Sequence, residues 1–598
     1  MLRSRLGFQS FVKLRHPTRF YSGASPAVRS RWTRKTVAGA TMLTASSVIL
    51  ASTIYADSEE LVPRATIGSL VRTYLVYSMC SIPSLVDASP KILSAMSSVP
   101  GLKQITEAFV RYTFFDQFVG ADTAEETLPL LRSLRAANKG VLFAYSVEVD
   151  ENEATGASIS RSSDNFTDSP SPHLSAADST SPSDQIVTET LHCIDVAADF
   201  EASLKDKFSR TTGTHGRRTW VAVKVTAMLP DAHALIALSS HIIASRKTLS
   251  RSSQEASVPF PGSARIEDLD VILRDSSSPD LTPADIQHVK KLYADLSRIC
   301  AHAKEKGVKI IVDAEYSWYQ PAIDAMTLGL MREYNTPSPN ATGDVQPIIY
   351  GTFQCYLRRT PEQLALAIED SRKHHYSLGV KLVRGAYHPH ELEAHSSKSS
   401  LSISPDAEPP VWREKRDTDY NYNWCVKMLA KAVKEDVDRS AGKSTLGGVD
   451  KLGWVDWVRG VKAKPVVGEV AASPSIGVLF GTHNWDSCAL ILKELVRNGL
   501  AVEDGERIED GIKVGDETVE RVAIGQLYGM CDDLTDWVVS RISSTTPFVI
   551  KYVPYGALAE VMPYLSRRAI ENKSVLGGGA AKHERQRAAE EIKKRVFG

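Results

Sequence analysis

Eight short apolar segments recur along the chain, and each is followed by a segment with the spacing of a surface helix. The eight are rich in Val, Ile, Phe and Tyr, as is typical of buried strands. They occupy residues 140–148, 220–228, 309–315, 347–356, 378–387, 476–484, 522–529 and 548–556. Strands that alternate with helices form parallel sheets, and eight such units can close into a barrel. The pattern predicts an α/β fold, a (β/α)8 TIM-type barrel.

A doubly wound open sheet is the structural alternative. No G-x-G-x-x-G motif follows any of the eight segments, which disfavours a dinucleotide-binding fold of that kind. Residues 57–139 are helical in character and are expected to pack against the barrel as an N-terminal arm.

Four polar stretches predict disordered insertions outside the core, because segments rich in Ser, Pro and charge bury too little apolar surface to offset the entropy of ordering. They are residues 151–186, 245–284, 388–416 and 436–466. The barrel is therefore expected to span residues 140–576, followed by a charged tail over residues 577–598.

The first 56 residues carry nine Lys and Arg residues, and the first acidic residue is Asp57. An Arg- and Ser-rich segment without acids is typical of a mitochondrial targeting sequence, with a disordered basic tail as the alternative. Residues 37–55 are uncharged and about as long as a minimal membrane span. Their Ser and Thr content leaves open a membrane tether or a cleaved, loosely ordered stretch.

Composition excludes several classes of protein. Lys plus Arg and Asp plus Glu both total 71, so a net charge of zero offers no general argument for nucleic-acid binding. The 7 cysteines are scattered and form no C-x-x-C motif, which argues against a disulfide scaffold or a zinc ribbon.

Polar side chains collect where the predicted strands end. They are Glu148, Lys224, Asp313, Glu315, Gln354, Lys381, Arg384, Tyr387, Thr482, His483, Asn484, Gln526 and Tyr552. Each alone has a structural explanation, such as a helix cap or a satisfied histidine. The carboxyl ends of barrel strands form one mouth, however, where sites of this fold are built. Because a buried lysine without a partner is strongly unfavourable, the set favours a ligand-filled polar mouth.

The helix predicted after the last strand carries a second polar set. Its members Tyr564, Arg567, Arg568 and Glu571 follow i, i+3, i+4, i+7 spacing and share one helical face. Two adjacent arginines suit the capture of a carboxylate. A solvated basic turn paired with Glu571 is the alternative.

Six motifs occur in one order over residues 140–576: VDAE…YQPAID, TFQCYLRRT, GVKLVRGAY, GTHNWDS, GQLYGMCD and KYVPYGALAEVMPYLSRRAIENKSVL. Together they resemble the proline dehydrogenase family, and more closely its eukaryotic mitochondrial members. The resemblance implies a distorted (β/α)8 barrel with FAD at its strand ends. It implies oxidation of L-proline to Δ1-pyrroline-5-carboxylate by hydride transfer to flavin N5, the first step of proline catabolism. It also implies electron transfer to ubiquinone at the matrix side of the inner mitochondrial membrane.

The resemblance also implies roles for single residues. Asp313 and Lys381 are expected to be catalytic. The substrate is expected to contact Lys224, Tyr552, Arg567, Arg568 and Glu148. FAD is expected to contact Asp313, Gln354, Lys381, Arg384, Gly385, Ala386, Thr482, His483, Asn484 and Glu571. No metal ligand is expected. One departure is Ala144, which stands where relatives often carry an aspartate.

Three other functions remain open at this stage. A hydroxyproline dehydrogenase is disfavoured by the bulky Tyr552, since a hydroxylated ring needs more room. A metal-dependent barrel hydrolase that uses Asp313 and His483 lacks an H-x-H or H-E-x-x-H motif. An inactive binding scaffold is disfavoured by the full set of strand-end residues.

Overall fold

The computed structural model describes one unit of the chain, which lies within Glu60–Gly598. The described residues are 66–99, 101–146, 181–204, 216–249, 258–274, 281–338, 344–397, 401–440, 473–505, 510–572 and 580–597. The targeting segment, the uncharged stretch 37–55, Glu148, and most of the predicted insertions 151–186 and 436–466 lie outside the described residues.

Eight parallel strands close into a barrel, which confirms the predicted fold. They are β1 (Lys139–Tyr145), β2 (Thr219–Val223), β3 (Ile310–Val312), β4 (Ile349–Gln354), β5 (Leu378–Val383), β6 (Ile476–Gly481), β7 (Val522–Leu527) and β8 (Val549–Tyr555). Each strand pairs with the next in sequence, and β8 pairs with β1. This order brings all eight carboxyl ends to one mouth.

The strands end earlier than predicted. β2 ends at Val223, so Lys224 lies beyond it, before a 3-10 turn at Thr226–Met228. β5 ends at Val383, so Arg384 lies in the loop before the next helix. The predicted strands extend into these loops because the loops also contain buried apolar residues. The apolar pattern alone does not distinguish such residues from strand residues. Several candidate site residues are therefore on loops, and their positions depend on loop contacts.

Helices surround the barrel, and further helices precede and follow it along the chain. They are α1 (Ile67–Cys80), α2 (Pro83–Ser97), α3 (Leu102–Val110), α4 (Leu128–Ala136), α5 (Pro182–Ser203), α6 (His233–Leu249), α7 (Pro283–Lys306), α8 (Gln320–Tyr334), α9 (Thr360–Lys373), α10 (His388–Ser396), α11 (Lys415–Ser440), α12 (Trp485–Arg497), α13 (Asp516–Arg521), α14 (Asp532–Arg541), α15 (Met562–Asn572) and α16 (Ala580–Phe597). Shorter helical segments are Arg111–Phe115, Asp116–Phe118, Ile266–Leu269 and Asp270–Leu273. Outside the barrel, Ala501–Glu503, Ile512–Val514 and Ile542–Ser543 form a small sheet, and Asp344–Val345 pairs with Ser473–Pro474.

Two predicted insertions carry ordered structure. In the stretch 245–284, Leu269, Val271 and Ile272 are buried. In the stretch 388–416, α10 forms and Val411 bridges to Leu357. The average composition of these stretches did not indicate the contacts. A few apolar side chains at the right spacing are enough to pack a mostly polar segment against the core. The predicted disorder is wrong for these parts of the chain.

The C-terminal tail is also ordered. Residues predicted as a charged tail form α16, which packs along α1. Ala588 and Glu584 are buried there. A helix with a charged outer face and a narrow packed face has the same composition as a disordered charged tail. Composition alone therefore could not distinguish a packed helix from such a tail.

The N-terminal arm is helical, as predicted, and it is fastened to the loop after β7. Both the Tyr77 hydroxyl and the Gln117 amide donate hydrogen bonds to the carbonyl oxygen of Gly529, at 2.8 and 2.9 Å. One apolar cluster then runs from the arm, through Tyr77 and Phe118, into the barrel interior at Trp220 and Leu479. The arm and the barrel mouth therefore share a core.

Gly529 is the tightest point of this joint. Its φ is 72°, and a Cβ built there would lie 1.8 Å from the Gln117 carbonyl oxygen. We expect Gly529→Ala to lower the free energy of unfolding by about 2–4 kcal/mol, through backbone strain and loss of the joint. Urea unfolding followed by circular dichroism measures the change. Gly68→Ala is the control, because its nearest contact would be at 3.8 Å. Equal midpoints for the two variants would contradict this account of the joint.

Candidate functional site

A buried ion pair lies at the centre of the barrel mouth. Lys381 of β5 donates from Nζ to Asp313 Oδ1 at 2.5 Å, just past the end of β3. The Tyr552 hydroxyl of β8 donates to the other carboxylate oxygen at 3.2 Å. The Lys381 ammonium also lies 5.3 Å from the centre of the Tyr552 ring. Three strands thus hold one acid, one cation and one aromatic side chain in a fixed arrangement.

Gln354, at the end of β4, has one satisfied and one unsatisfied amide atom. Its Nε2 donates to the Glu315 carbonyl at 3.1 Å, which fixes the side chain. Its Oε1 is buried and has no hydrogen-bond partner within the described part of the chain. A buried acceptor without a partner is unfavourable, so this oxygen suits an N–H group of a ligand.

His483, directly after β6, presents the complementary atom. The Leu527 backbone N–H donates to Nε2 at 3.0 Å, so the neutral ring carries its proton on Nδ1. The ring is partly exposed, but Nδ1 is buried and bonds to none of the described residues. Burial, followed by the positive charges of Lys551 and Arg568, lowers the pKa of His483 to about 3. His483 is therefore a neutral hydrogen-bond donor at physiological pH.

Arg384, in the loop after β5, is held by three partners. Its guanidinium donates to Asp419 Oδ1 at 2.7 Å, Thr482 Oγ1 at 2.7 Å and Ser487 Oγ at 2.8 Å. Burial raises the pKa of Asp419, but hydrogen bonds from Lys415 and Arg384 outweigh it and hold that pKa below its usual value. Arg384 is thus a fixed cation beside the start of α12.

The start of α12 is capped by Asn484, whose side-chain oxygen accepts the Ser487 backbone N–H at 2.9 Å. A helix N-terminus with a neighbouring arginine is a favourable environment for a phosphate group. The loop after β5, which carries Arg384, contributes open backbone. Gly385 has φ 119°, and a Cβ there would lie 2.5 Å from the Tyr356 ring, so the loop requires glycine. Gly385 and Ala386 are both exposed.

The arginines predicted after the last strand lie on α15 and use different partners. Arg567 donates to the Tyr387 hydroxyl at 3.0 Å and lies 5.3 Å from the centre of that ring. Arg568 is buried, pairs with Glu571 at 2.7 Å and lies 4.7 Å from the Tyr564 ring centre. Glu571, which we expected to contact FAD, is therefore the partner of Arg568 in this arrangement.

The structure gives less information about two residues that were expected to contact the substrate, Lys224 and Glu148. Lys224 is half-buried just beyond β2. Glu148 lies outside the described residues, so its expected pairing with Arg567 stays a prediction.

Several side chains at this site were missed from the sequence. Asp419 and Ser487 come from α11 and α12, and nothing in their local sequence marks them as partners of Arg384. Glu391 lies in a predicted insertion, yet it is buried and accepts from the Ser317 backbone N–H at 2.7 Å. Burial raises its pKa to about 7. Tyr387, one of the predicted strand-end residues, is the partner of Arg567.

A cavity of about 760 Å³ lies outside the barrel, between α8 and α9. Its lining mixes basic and acidic side chains, including Arg332 and Asp370, and includes none of the strand-end cluster around Lys381. Within the described ranges, no group of three or more His, Cys, Asp and Glu residues is arranged to hold a metal ion. No helix built from the described residues is long and apolar enough to cross a membrane.

The chain is similar to curated proteins of two kinds. The mitochondrial proline dehydrogenase 1 of Dictyostelium discoideum is 26% identical over 543 residues, which cover 90% of this chain and 75% of that protein. The hydroxyproline dehydrogenase of Mus musculus is 25% identical over 533 residues, which cover 89% of this chain and 92% of that protein.

Among solved structures, the chain is similar to proline utilization A from Bdellovibrio bacteriovorus, inactivated by N-propargylglycine. The TM-score is 0.50 at 15% identity, over 93% of this chain and 43% of that one. The chain thus spans less than half the length of that protein, and the likeness concerns the fold. The sequence model of the family described as proline dehydrogenase matches residues 171–578, well over half of the chain. Since this match covers most of the closed barrel, the chain belongs to the proline dehydrogenase family.

Proposed function

We propose that this protein is a mitochondrial enzyme that oxidises L-proline to Δ1-pyrroline-5-carboxylate, with FAD as cofactor and ubiquinone as the electron acceptor. The observation that carries the proposal is the pairing of unsatisfied atoms at the mouth. Gln354 of β4 presents a buried acceptor, and His483, after β6, presents a buried donor, and these strands flank β5 with Lys381. A flavin ring carries both N–H and carbonyl groups on one edge and would satisfy both atoms.

The remaining residues fit the rest of FAD. Its diphosphate would be held by Arg384, Thr482 and the N-terminus of α12, where charge and backbone donors coincide. The open backbone of Gly385 and Ala386 allows close approach. When bound, FAD supplies the two-electron acceptor that no amino-acid side chain provides.

The arginines of α15 would bind the substrate carboxylate. A guanidinium has five N–H donors, and the ion pair with Glu571 leaves most of those of Arg568 for another acceptor. Arg567 lies one residue away on the same helix. Holding the carboxylate at two points fixes the orientation of the proline ring, which reduces the entropy barrier of the reaction.

Lys381 would stabilise the negative charge that develops at the reacting centre. Asp313 holds the ammonium in place, and Tyr552 holds Asp313 from the opposite side. A preorganised cation in a site with little water stabilises such charge more than solvent does. The described residues offer no dedicated base for the substrate amine, so we expect proline to react as the neutral amine, with activity rising towards mildly alkaline pH.

Two observations support the mitochondrial part of the proposal, and the quinone part rests on the family resemblance alone. The first 35 residues are basic and lack acids. Relatives from several eukaryotes are named mitochondrial proline dehydrogenase.

The hydroxyproline dehydrogenases among the relatives make hydroxyproline a second candidate substrate. The hydroxyl of Tyr552 is bonded to Asp313, and we expect the ring held in this way to occupy space that a substituted proline would need, which favours plain proline.

The first test is a visible spectrum of the purified protein before and after anaerobic addition of L-proline. We expect flavin bands that bleach with proline. The double variant Arg567→Ala, Arg568→Ala should keep the bands but need roughly 100-fold more proline, because two charged contacts to the carboxylate are lost. Arg497→Ala, an arginine far from the mouth, is the control. Faster bleaching by 4-hydroxyproline would favour the second candidate, and a folded protein that never holds FAD would refute the proposal.

A second test separates the charge of Lys381 from its shape. Lys381→Met keeps the length of the side chain and removes the charge. We expect the rate of flavin reduction to fall by about 10²–10³-fold, the size typical of a lost electrostatic contact in the transition state. Lys381→Arg should retain a larger share of the rate. Rapid-mixing absorbance measures this step, and an unchanged rate in Lys381→Met would remove this residue from the reaction.

A third test concerns the neutral state of His483. Its folded pKa of about 3 lies below the unfolded value of about 6.5, so its contribution to stability is complete above pH 6.5 and is lost as the pH falls towards 3. We expect His483→Gln to reduce the fall in stability over this range by up to about 1.4 kcal/mol per pH unit.

The pKa shift of Glu391 has the opposite effect on the pH dependence of stability. Its folded pKa of about 7 is raised, so its contribution is lost as the pH rises from about 4.5 to 7. Glu391→Gln is therefore the matched control and should change the slope with the opposite sign. Urea unfolding of the cofactor-free protein at several pH values measures both slopes. Identical slopes in the parent and His483→Gln proteins would show that His483 titrates normally.

A further inference from the structure

Large apolar side chains are exposed mainly in one part of the described chain. Of the 19 such side chains, 11 lie within residues 71–112, the region of α1, α2 and α3. Scattered exposed apolar residues are normal on a soluble protein, but a dense group marks an interaction surface. We call this group, the exposed apolar side chains of residues 71–112, the arm surface.

The arm surface follows helical spacing. On α3, Leu102, Ile105 and Phe109 are 40%, 63% and 48% exposed at positions i, i+3 and i+7. The adjoining face of the same helix, with Thr106 and Val110, is the buried one. A surface helix normally turns polar residues to solvent, so an apolar second face needs a partner of its own.

α1 repeats the pattern. Val71, Tyr74 and Leu75 are exposed, whereas Leu70 and Tyr77 are buried against the rest of the protein. α2 lies between these helices in sequence and contacts both of them. The three helices together therefore present a broad apolar surface.

The region of the arm surface carries few charges. Residues 67–112 contain four basic and two acidic residues, and Arg72 and Arg111 are paired with Asp116 and Asp122. An exposed apolar surface with so few charges suits the apolar part of a bilayer. Tyr74 and Tyr112 are half-exposed and amphipathic, like the aromatic residues that collect at membrane interfaces.

The position of the arm gives such a surface a purpose. The arm shares one apolar cluster with Tyr552 at the barrel mouth and with Tyr564 and Leu565 of the arginine helix. A lipid-soluble quinone reaches the enzyme from the bilayer, so a membrane-facing surface beside the mouth would shorten its path. The sequence that leads into α1 is also suited to a membrane, because residues 37–55 are uncharged.

We infer that the arm surface docks on a phospholipid bilayer, with α1, α2 and α3 lying in the interface and the barrel mouth beside it. This inference rests on the proposed quinone-linked function for its purpose. The docking itself is a separate property, since it depends on exposed apolar area and on none of the residues that would bind FAD or proline.

The test uses the full-length, FAD-loaded protein and sedimentation with phosphatidylcholine vesicles that contain an anionic phospholipid. We expect the triple variant Leu102→Ser, Ile105→Ser, Phe109→Ser to lose at least roughly tenfold in vesicle binding, because three interfacial apolar side chains are removed. The matched control is Leu273→Ser, Val502→Ser, which changes exposed apolar residues outside the arm. It should bind vesicles as the parent protein does.

Two turnover assays separate docking from catalysis. With a water-soluble electron acceptor, the triple variant should match the parent, which also shows that it is folded. With a long-chain quinone in the vesicles, its turnover should fall with its binding. A parent protein that binds vesicles but does not oxidise proline would leave the docking surface standing and refute the proposed function.

Other occupants of the arm surface give different results. Parental vesicle binding by the triple variant would overturn the inference and assign any membrane contact to the first 65 residues. No vesicle binding by the parent, together with a dimer that the triple variant dissociates in light scattering, would assign the surface to a second copy and also overturn it.

Discussion

The ion pair between Lys381 and Asp313 constrains the whole barrel mouth. The two residues lie on β5 and at the end of β3, which are separated by β4, and Tyr552 reaches the same carboxylate from β8. A lysine in this interior is tolerated only when its partner is held at hydrogen-bonding distance, and breaking a buried pair costs about 3–5 kcal/mol. The pair needs β3, β4 and β5 in this register, and the Tyr552 contact also needs β8, which reaches β3 only through the closed sheet. Formation of the complete cluster is therefore linked to closure of the barrel.

Much of this could be predicted from the sequence, because it depends on periodic patterns. Alternating strands and helices predicted the barrel, and the rule that barrel sites lie at strand ends was enough to select Asp313, Gln354, Lys381 and His483. Their roles as cofactor or substrate contacts stay predictions. The neighbours of Arg384 could not be found in the same way. Asp419 and Ser487 lie 35 and 103 residues away from it, and only the fold brings them together.

The errors have a common physical cause. Residues 388–416 and the C-terminal tail were judged by average composition, whereas their order depends on single contacts. Glu391 is an example, because a charged residue in a polar stretch is ordinarily solvated, yet here it is buried against Ser317. Likewise α16 is mostly charged but packs on α1 through a narrow face. Composition measures the exposed majority of such a segment, and the buried minority determines whether it is ordered.

The charges at the mouth follow one logic. Four acids near the site are paired with bases: Asp313 with Lys381, Asp419 with Arg384, Glu571 with Arg568, and Asp532 with Lys551. These pairs fix the bases in position but use only part of their donor capacity, because a guanidinium has five N–H groups and an ammonium three. The mouth thus keeps an excess of oriented donors without an excess of uncompensated buried charge. Burial keeps His483 neutral by lowering its pKa, and the charges of Lys551 and Arg568 lower that pKa further. An anionic diphosphate and a carboxylate are the ligand groups that such a mouth would bind, and a cation would meet oriented N–H groups of the wrong polarity.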